Sequence, residues 1–127
     1  MSYLVDTQAL IWFIEGNTQL KPKARTIIED PGIPIYSSIA SIWEIGIKTS
    51  IGKLQLDKSL QDFVTQLHID KIDIIGIHPP HIFELLSLPH SHKDPFDRII
   101  IAQAIALDLK IITSDEAFKN YQVEVIW

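Results

Sequence analysis

"YLVDTQALIWFIE", residues 3–15, joins a short apolar run to a longer run that favours a helix. Its first four letters end in Asp6 and have the length and the apolar character of a buried strand. Its last nine letters predict a helix that begins directly after this aspartate. The stretch therefore predicts one strand-to-helix unit with a carboxylate at the junction.

The same order, a strand followed by a helix, recurs along the chain. Further strands are predicted at 35–38, 71–77, 110–115 and 123–127. Further helices are predicted from Pro22, over 39–50, from Leu60 to Leu67, over 79–88, within 92–104 and shortly after Asp115. Because alternating strands and helices are typical of α/β proteins, we expect an α/β fold with a five-stranded sheet.

The composition is that of a globular protein. The 127 residues suit one domain, and 46% of them are hydrophobic. The absence of cysteine excludes disulfides and thiolate metal sites, and the net charge of −5 argues against a broad basic surface for nucleic acid. Asp6 and Glu15 interrupt the first 16 residues, so we expect no secretion signal, no membrane span and a cytoplasmic location.

Four acidic residues lie at or soon after predicted strand ends, or at the start of a predicted helix. They are Asp6, Glu44, Asp97 and Asp115. Ligands of open parallel sheets gather beyond the carboxyl ends of the strands, so these side chains can share one pocket. Clustered carboxylates raise one another's pKa values and need a counter-charge. Mg²⁺ and Mn²⁺ prefer oxygen ligands and leave positions for a phosphate, so the pattern indicates phosphoryl cleavage.

Each of these acids also has a purely structural interpretation. Asp is a common N-cap residue, so Asp6 and Asp115 can each cap the helix that follows. Ser41 and Glu44 have the spacing of a capping box. Position alone therefore leaves capping and metal binding both open.

The stretch "HKDPFDRIIIAQA", residues 92–104, contains two aspartates for which we predict different roles. Asp94 precedes Pro95, which is the pattern of an N-cap and a first-turn proline, so we predict a structural Asp94. Asp97 lies beyond the cap position on a helix whose neighbouring residues look buried. We therefore predict that Asp97 points into the mouth of the fold.

Four segments together resemble the VapC toxins of toxin–antitoxin pairs, which are PIN-domain ribonucleases. They are "LVDTQALIW", "SIASIWEIGIKTSIGKL", "HKDPFDRIIIAQA" and "IITSDEAF", in this order along nearly the whole chain. The resemblance implies one PIN-like domain over 1–127, with a three-layer α/β/α fold around a central five-stranded parallel sheet. It also implies an endoribonuclease that depends on Mg²⁺ or Mn²⁺, a homodimer, and inhibition by a cognate antitoxin.

The resemblance implies roles for particular residues. Matched motif by motif, the catalytic and metal-binding acids are Asp6, Glu44, Asp97 and Asp115. Thr7 and Thr113 are either buried capping hydroxyls or hydrogen-bond partners of the carboxylates or of the phosphate. No motif indicates whether the target is transfer, ribosomal or messenger RNA.

Basic residues near the acids are candidates for contacts with RNA phosphates. They are Lys48, Lys53, Lys93 and Arg98. Scattered surface lysines are more often solvated than functional. Arg98 is the strongest candidate because it is adjacent to Asp97, where it can also form an ordinary ion pair.

Two other features each have competing interpretations. Histidines concentrated in one region offer an alternative metal site, but they lack the H-E-x-x-H pattern and have no cysteine partners. They are His78, His81, His90 and His92. A set of large apolar residues is either core or the lining of a groove for a partner helix. They are Trp12, Phe13, Ile42 and Trp43.

Two functions other than a nuclease stay open. A receiver-type phosphoacceptor domain also groups acids at strand ends, but Asp6 has no adjacent acid and "VEVIW" at 123–127 brings no lysine to the last strand. A noncatalytic PIN-type binding module is the second alternative. The four acids argue against a noncatalytic module, and a metal titration would decide between such a module and a metal-dependent nuclease.

Overall fold

The structure, a computed structural model, describes residues 1–91 and 94–127. The strands are β1 (Tyr3–Val5), β2 (Ile35–Ser38), β3 (Ile72–Ile75), β4 (Lys110–Ile112) and β5 (Val125–Ile126). The helices are α1 (Thr7–Glu15), α2 (Pro22–Glu29), α3 (Ile39–Ser50), α4 (Leu60–Ile69), α5 (Pro79–Leu86) and α6 (Pro95–Leu107). A 3₁₀ helix follows at Glu116–Asn120.

The five strands form one sheet with the order β3-β2-β1-β4-β5, and every pairing is parallel. The predicted α/β fold with a central five-stranded parallel sheet is therefore confirmed. In the register, Val5 lies opposite Ser37 of β2 on one side and opposite Ile112 of β4 on the other. The strand order turns back at β1, so the crevice favoured for ligands lies beyond the carboxyl ends of β1 and its neighbours.

The core lies on both faces of the sheet. Along β1, Tyr3 and Val5 pack with α1, α2 and α4 on one face, and Leu4 packs with α6 on the other. This alternation follows from the pleat of a strand, in which successive side chains point to opposite faces. Helices therefore cover both faces of the sheet, which is the predicted three-layer arrangement.

Four of the five strands are shorter than the sequence predicts. The predicted strand at 71–77 is reduced to β3, and at its amino end Lys71 is excluded by a φ of 59°, which is incompatible with a strand. The predicted strand at 110–115 ends at Ile112, where the Thr113 hydroxyl accepts a hydrogen bond from the Asp115 N–H at 3.0 Å. This local turn places Asp115 at the start of the 3₁₀ helix, at the edge where ligands are expected.

Among the residues that the structure describes, none of the helices has the length and apolar character needed to cross a membrane.

Candidate active site

Asp6 lies at the carboxyl end of β1 and is almost completely buried. Its Oδ1 accepts the Ala9 N–H at 2.8 Å and caps α1, and its Oδ2 accepts the Thr113 hydroxyl at 2.5 Å. The pKa of Asp6 is raised to about 6, chiefly by burial and also by the charges of Asp115 and Glu44, while the two hydrogen bonds act in the opposite direction. Asp6 is therefore both a helix cap and a carboxylate under electrostatic strain.

Glu44 projects from the middle of α3 and is 4% exposed. Its Oε2 pairs with the Lys48 Nζ at 2.6 Å, one helical turn later. Its Oε1 is buried without a hydrogen-bond partner among the described residues. A buried, unpaired carboxylate oxygen is costly, so Glu44 is incompletely satisfied by its neighbours.

The predicted capping box at Ser41 and Glu44 is wrong. The first residue of α3 is Ile39, and Ser38 is the cap, since its hydroxyl accepts the Ala40 N–H at 3.0 Å. Ser41 instead lies inside the helix, where its hydroxyl accepts a hydrogen bond from Thr7 at 2.8 Å. Ser and Glu therefore have the right spacing, but the helix begins too early for Ser41 to act as a cap.

The two aspartates of the 92–104 stretch lie at the start of α6. Asp94 Oδ1 accepts the N–H of Phe96 at 2.8 Å and that of Asp97 at 3.2 Å, which confirms its predicted capping role. Asp97 lies in the first turn of the same helix. Both side chains line the same pocket, so Asp94 is closer to the other acids than its role as a cap alone would require.

Asp115 follows β4 by three residues. Its Oδ1 accepts the Ala117 N–H at 2.9 Å and caps the 3₁₀ helix, as the sequence predicts. Thr113 accepts the Asp115 N–H and donates to Asp6, so one hydroxyl connects the two strand-end acids. Thr113 thus contacts a carboxylate directly, whereas Thr7 contacts Ser41.

These acids surround one pocket of about 400 Å³, which we call the acid pocket. Its charged lining residues are Asp6, Glu44, Asp94, Asp97, Asp115, Lys48 and Lys53. The four acids singled out from the sequence therefore line one space, although they come from four separate segments. Five carboxylates against two lysines leave this space negatively charged.

The lining suits a hard divalent cation in its chemistry. The donors are carboxylate oxygens, and the unpartnered Glu44 Oε1 is an acceptor that a cation would satisfy. In the part of the chain that the structure describes, however, no three His, Asp or Glu side chains stand close enough together to hold one ion. Lys48 occupies one oxygen of Glu44, and Thr113 occupies one oxygen of Asp6.

The remaining predicted residues are distributed differently. Lys48 and Lys53 line the acid pocket, and Lys93 falls outside the described residues. Arg98 donates to the Pro89 carbonyl at 2.7 Å and to the Leu85 carbonyl at 3.4 Å, which ties the end of α5 to α6. Its contact with RNA stays a prediction.

The histidine region shows no metal site in its described part. The His78 N–H donates to His81 Nδ1 at 3.0 Å, and their rings meet edge to face at 5.6 Å. Burial and the neighbouring His78 lower the pKa of His81. His92 lies outside the described residues, and no metal-binding group of three is found among the others.

The large apolar residues divide between core and surface. Trp12, Phe13 and Ile42 are partly buried against the core. Trp43 is 62% exposed, although its ring contacts Phe96 edge to face at 5.2 Å. Helical periodicity does not separate these two environments, because all four lie on helices rich in apolar residues.

A buried polar bridge near the site was not predicted. The Ser38 hydroxyl donates to Gln103 Oε1 at 2.5 Å, and Gln103 Nε2 donates to the Gly76 carbonyl at 3.1 Å. Gln103 is fully buried on α6, and Ser38 caps α3. The bridge therefore links the helix that carries Asp97 to the helix that carries Glu44. A glutamine inside an apolar helical run was the available signal.

Comparison with solved structures finds the same fold in several bacterial complexes. One is VapBC2 from Rickettsia felis, whose crystal structure was determined with a DNA fragment from the VapBC2 promoter. A chain of this complex superposes on the present chain with a TM-score of 0.74 at 16% sequence identity, and the alignment covers 99% of this chain and 98% of that one. A toxin–antitoxin complex from Klebsiella pneumoniae gives 0.65 at 22% identity, covering 98% and 96%. FitAcB from Neisseria gonorrhoeae gives 0.64 at 19% identity, also covering 98% and 96%.

The sequence itself matches a domain family over nearly its whole length. It gives no significant match to an individual curated protein. The family model for the PIN domain matches residues 3–124, which include all four of the predicted site acids. The chain belongs to the PIN domain family.

Proposed function

We propose that this protein is a metal-dependent endoribonuclease that hydrolyses RNA phosphodiester bonds at the acid pocket. The observation that carries the proposal is Glu44, whose buried Oε1 lacks a partner among the described residues in a pocket lined by four other carboxylates. Buried polar atoms without a partner are uncommon in folded proteins, and a carboxylate oxygen of this kind in a cleft is a candidate ligand for a cation. Membership of the PIN family and the all-oxygen donor set support the same chemistry.

The residues of the acid pocket would have different roles in this reaction. Asp6, Glu44, Asp97 and Asp115 would hold Mg²⁺ or Mn²⁺. When bound, the ion supplies Lewis-acid chemistry, which activates water for attack and neutralises charge on the phosphate. Thr113 would orient Asp6 through its hydrogen bond.

The lysines of the pocket counter the charge of the substrate. Lys48 and Lys53 present ammonium groups to the RNA backbone, which the carboxylates alone would repel. Because the pocket is negative without a cation, RNA binding is expected to require the metal as well as these lysines. The activity would then depend on the divalent ion at both the binding step and the chemical step.

The proposal is tested with purified protein and labelled RNA. Cleavage should occur with Mg²⁺ or Mn²⁺, stop with EDTA and return when Mn²⁺ is added in excess. Single-stranded DNA of the same sequence should be cut much more slowly or not at all. Cleavage that persists in excess chelator, or that survives in an Asp97→Asn preparation, would exclude the acid pocket as the source.

We also propose that the protein acts in the cytoplasm as a toxin held inactive by an antitoxin. The similarity in fold to toxin–antitoxin complexes supports this role. Expression of the wild-type chain in a bacterial host should stop growth, whereas Asp97→Asn, expressed to the same level, should not. Growth arrest by both variants would mean that toxicity does not come from RNA cleavage.

A homodimer is proposed from the exposed apolar residues of α3 and α5. On α3 and at its C-cap they recur every fourth residue, at Ile39, Trp43, Ile47 and Ile51, and on α5 they are Ile82, Phe83 and Leu86. Exposed apolar surface of this extent commonly marks an interface, and a second copy offers the same surface. In light-scattering measurements the wild type should have the mass of a dimer, and Trp43→Glu should have the mass of a monomer. A monomeric wild type would contradict the proposal.

A further inference from the structure

A second pocket opens beside the acid pocket and shares part of its wall. It has a volume of about 280 Å³, and we call it the lysine pocket. Ser114 and Asp115 line both spaces, so the two pockets meet at the turn that follows β4. A linear polymer that lies in the acid pocket would reach the lysine pocket by passing this turn.

Three lysines from two distant segments line this second pocket. They are Lys21, Lys23 and Lys119. With Lys48 and Lys53, five of the chain's 11 basic residues line two adjoining pockets in a protein whose net charge is −5. The acid pocket is negative without a cation, but the lysine pocket has three lysines against Asp115 and Glu116, and this lining favours an anionic ligand there.

The acids of the lysine pocket do not cancel this charge. Lys119 pairs with Glu116 at 2.9 Å, but the two side chains are 58% and 81% exposed. Exposed ion pairs contribute little and exchange readily, so Lys119 can turn from Glu116 to a phosphate. Asp115 belongs to the proposed metal site, where a bound cation would neutralise it.

An aromatic ring completes the wall. Trp127 lines the lysine pocket and is only partly buried, and its ring lies 5.9 Å from that of Trp12 at an angle of 46°. The Trp127 side chain thus packs against Trp12 and the core cluster that includes α1. Aromatic rings beside lysines are the usual components of single-stranded RNA sites, because bases stack on the ring while cations bind the backbone.

We propose that the lysine pocket binds one nucleotide of single-stranded RNA next to the scissile phosphate, with its base on Trp127 and its phosphate on Lys21, Lys23 and Lys119. The inference rests on the proposed nuclease function and adds a subsite to it. It predicts that the enzyme holds an unpaired nucleotide beside the bond it cuts. A continuous duplex would not fit, since its bases are stacked on one another.

The lysines are tested by RNA binding in the Asp97→Asn background, which keeps the RNA intact, with Mn²⁺ raised until the weakened metal site of this variant is saturated. The probe is a fluorescein-labelled single strand of about ten nucleotides, followed by anisotropy. Lys21→Gln with Lys23→Gln should weaken binding on the order of tenfold and lower the slope of log Kd against log salt by about 0.7, because one RNA phosphate is no longer neutralised. The matched control is Lys58→Gln with Lys71→Gln, which removes the same charge from residues that line neither pocket.

The aromatic contact is tested separately with two substitutions of Trp127. Trp127→Leu should weaken binding on the order of tenfold, and Trp127→Phe, which retains a ring, should bind within about twofold of the parent. The tryptophan fluorescence of the parent should fall when RNA binds, and this change should shrink in both variants. Thermal melts identify any loss of folding. The lysine variants test the pocket independently, since their side chains are exposed.

The outcomes separate this inference from the proposed function. If the wild type cleaves RNA but the Lys21/Lys23 pair behaves like its control and Trp127→Leu binds like the parent, the lysine pocket is not a subsite and the nuclease proposal stands. If the wild type binds RNA through these residues but never cleaves it, the subsite stands and the nuclease proposal falls. If the wild type neither binds nor cleaves RNA, both are overturned.

Discussion

The two ends of the sheet differ in how their acidic residues are satisfied. At the amino end, a cavity of about 500 Å³ is lined by Glu29, Asp30 and Asp70, and it is larger than the acid pocket. Asp30 accepts the Gly32 N–H at 2.8 Å, and Asp70 accepts from the Gln66 side chain at 3.2 Å. These acids are exposed or half-buried, and their local partners are ordinary. The size of a cavity therefore does not mark the site in this protein.

At the carboxyl end two of the acids, Asp6 and Glu44, are buried. The pKa of Asp6 is raised to about 6 by burial, and Glu44 keeps one buried oxygen without a described partner. Electrostatic cost of this kind is typical of functional sites, because it is removed only when a ligand binds. The comparison predicts that charge removal at the carboxyl end changes function, whereas the same change at the amino end does not.

The largest effect is expected for Asp97→Asn. The side chain keeps its shape but loses the charge that a hard cation requires, so RNA cleavage should fall on the order of 100-fold or more, with weaker Mn²⁺ binding. Asp70→Asn at the amino end removes the same charge and is the matched control. It should cleave like the wild type in gel assays at equal protein concentration. Wild-type cleavage by Asp97→Asn would require the nuclease proposal to be withdrawn or moved to another site.

A smaller effect, on the stability of the metal-free protein, is expected for Asp6→Asn. The folded-state pKa of Asp6 is about 6, against an ordinary value of 3.8, so the folded protein holds this proton more tightly than the unfolded chain does. That contribution to stability is complete below about pH 4 and is lost as the pH rises through about 6. The Asn side chain does not titrate, so the variant does not lose this stability as the pH rises. At about pH 7.5 the free energy of unfolding of Asp6→Asn should exceed that of the wild type by about 1–2 kcal/mol. This gain is smaller than the full pKa shift implies, because Asn does not replace both hydrogen bonds.

The measurement is a series of thermal melts in EDTA from about pH 4 to about pH 8. The wild type should lose stability across this interval relative to Asp6→Asn, and Asp30→Asn at the amino end should follow the wild type. A large fall in melting temperature for Asp6→Asn at neutral pH would show that the carboxylate is chiefly structural. Cleavage by Asp6→Asn should be lost regardless of its stability.

The sequence was sufficient for the order of the elements and for four of the five acids that line the acid pocket. Strand-to-helix junctions are local, so the positions of Asp6 and Asp115 at strand ends, and their capping bonds, follow from short segments. The strand ends were less predictable. Lys71 leaves the strand through a backbone angle that its side chain does not require, and Thr113 ends β4 through a hydroxyl bond.

Contacts between distant segments were the part that the sequence did not reveal. The Lys48 partner of Glu44 has ordinary helical spacing, but the unsatisfied oxygen beside it depends on what surrounds α3. Lys21 and Lys119 are about a hundred residues apart, so no pattern groups them. Such sites are set by the packing of the whole fold and need coordinates to be found.

A moderate effect is expected for Lys48→Met. The Lys48 ammonium lies 2.6 Å from Glu44 Oε2, where it competes with a cation for that oxygen. Without it, Mn²⁺ should bind about fivefold more tightly in calorimetric titrations, because one repelling charge and one competing partner are removed. Lys53→Met is the control, since Lys53 lines the same pocket, whereas the contact with Glu44 Oε2 is made by Lys48. Weaker Mn²⁺ binding by Lys48→Met would mean that the lysine orients Glu44 for the metal.

The smallest effect is expected for Asp94→Asn, and it tests whether proximity to the acid pocket is enough to give an acid a catalytic role. Asp94 lines the pocket, yet its Oδ1 is already used by the N–H groups of Phe96 and Asp97. Asn caps helices about as well as Asp, so both stability and cleavage should be nearly unchanged. Asp94→Ala should destabilise the fold by about 1 kcal/mol while cleavage per folded molecule survives. If Asp94→Asn instead loses cleavage as completely as Asp97→Asn, the capping bonds do not exhaust its role. Both aspartates of the α6 start would then belong to the catalytic set, and the negative charge of the pocket would matter as a whole.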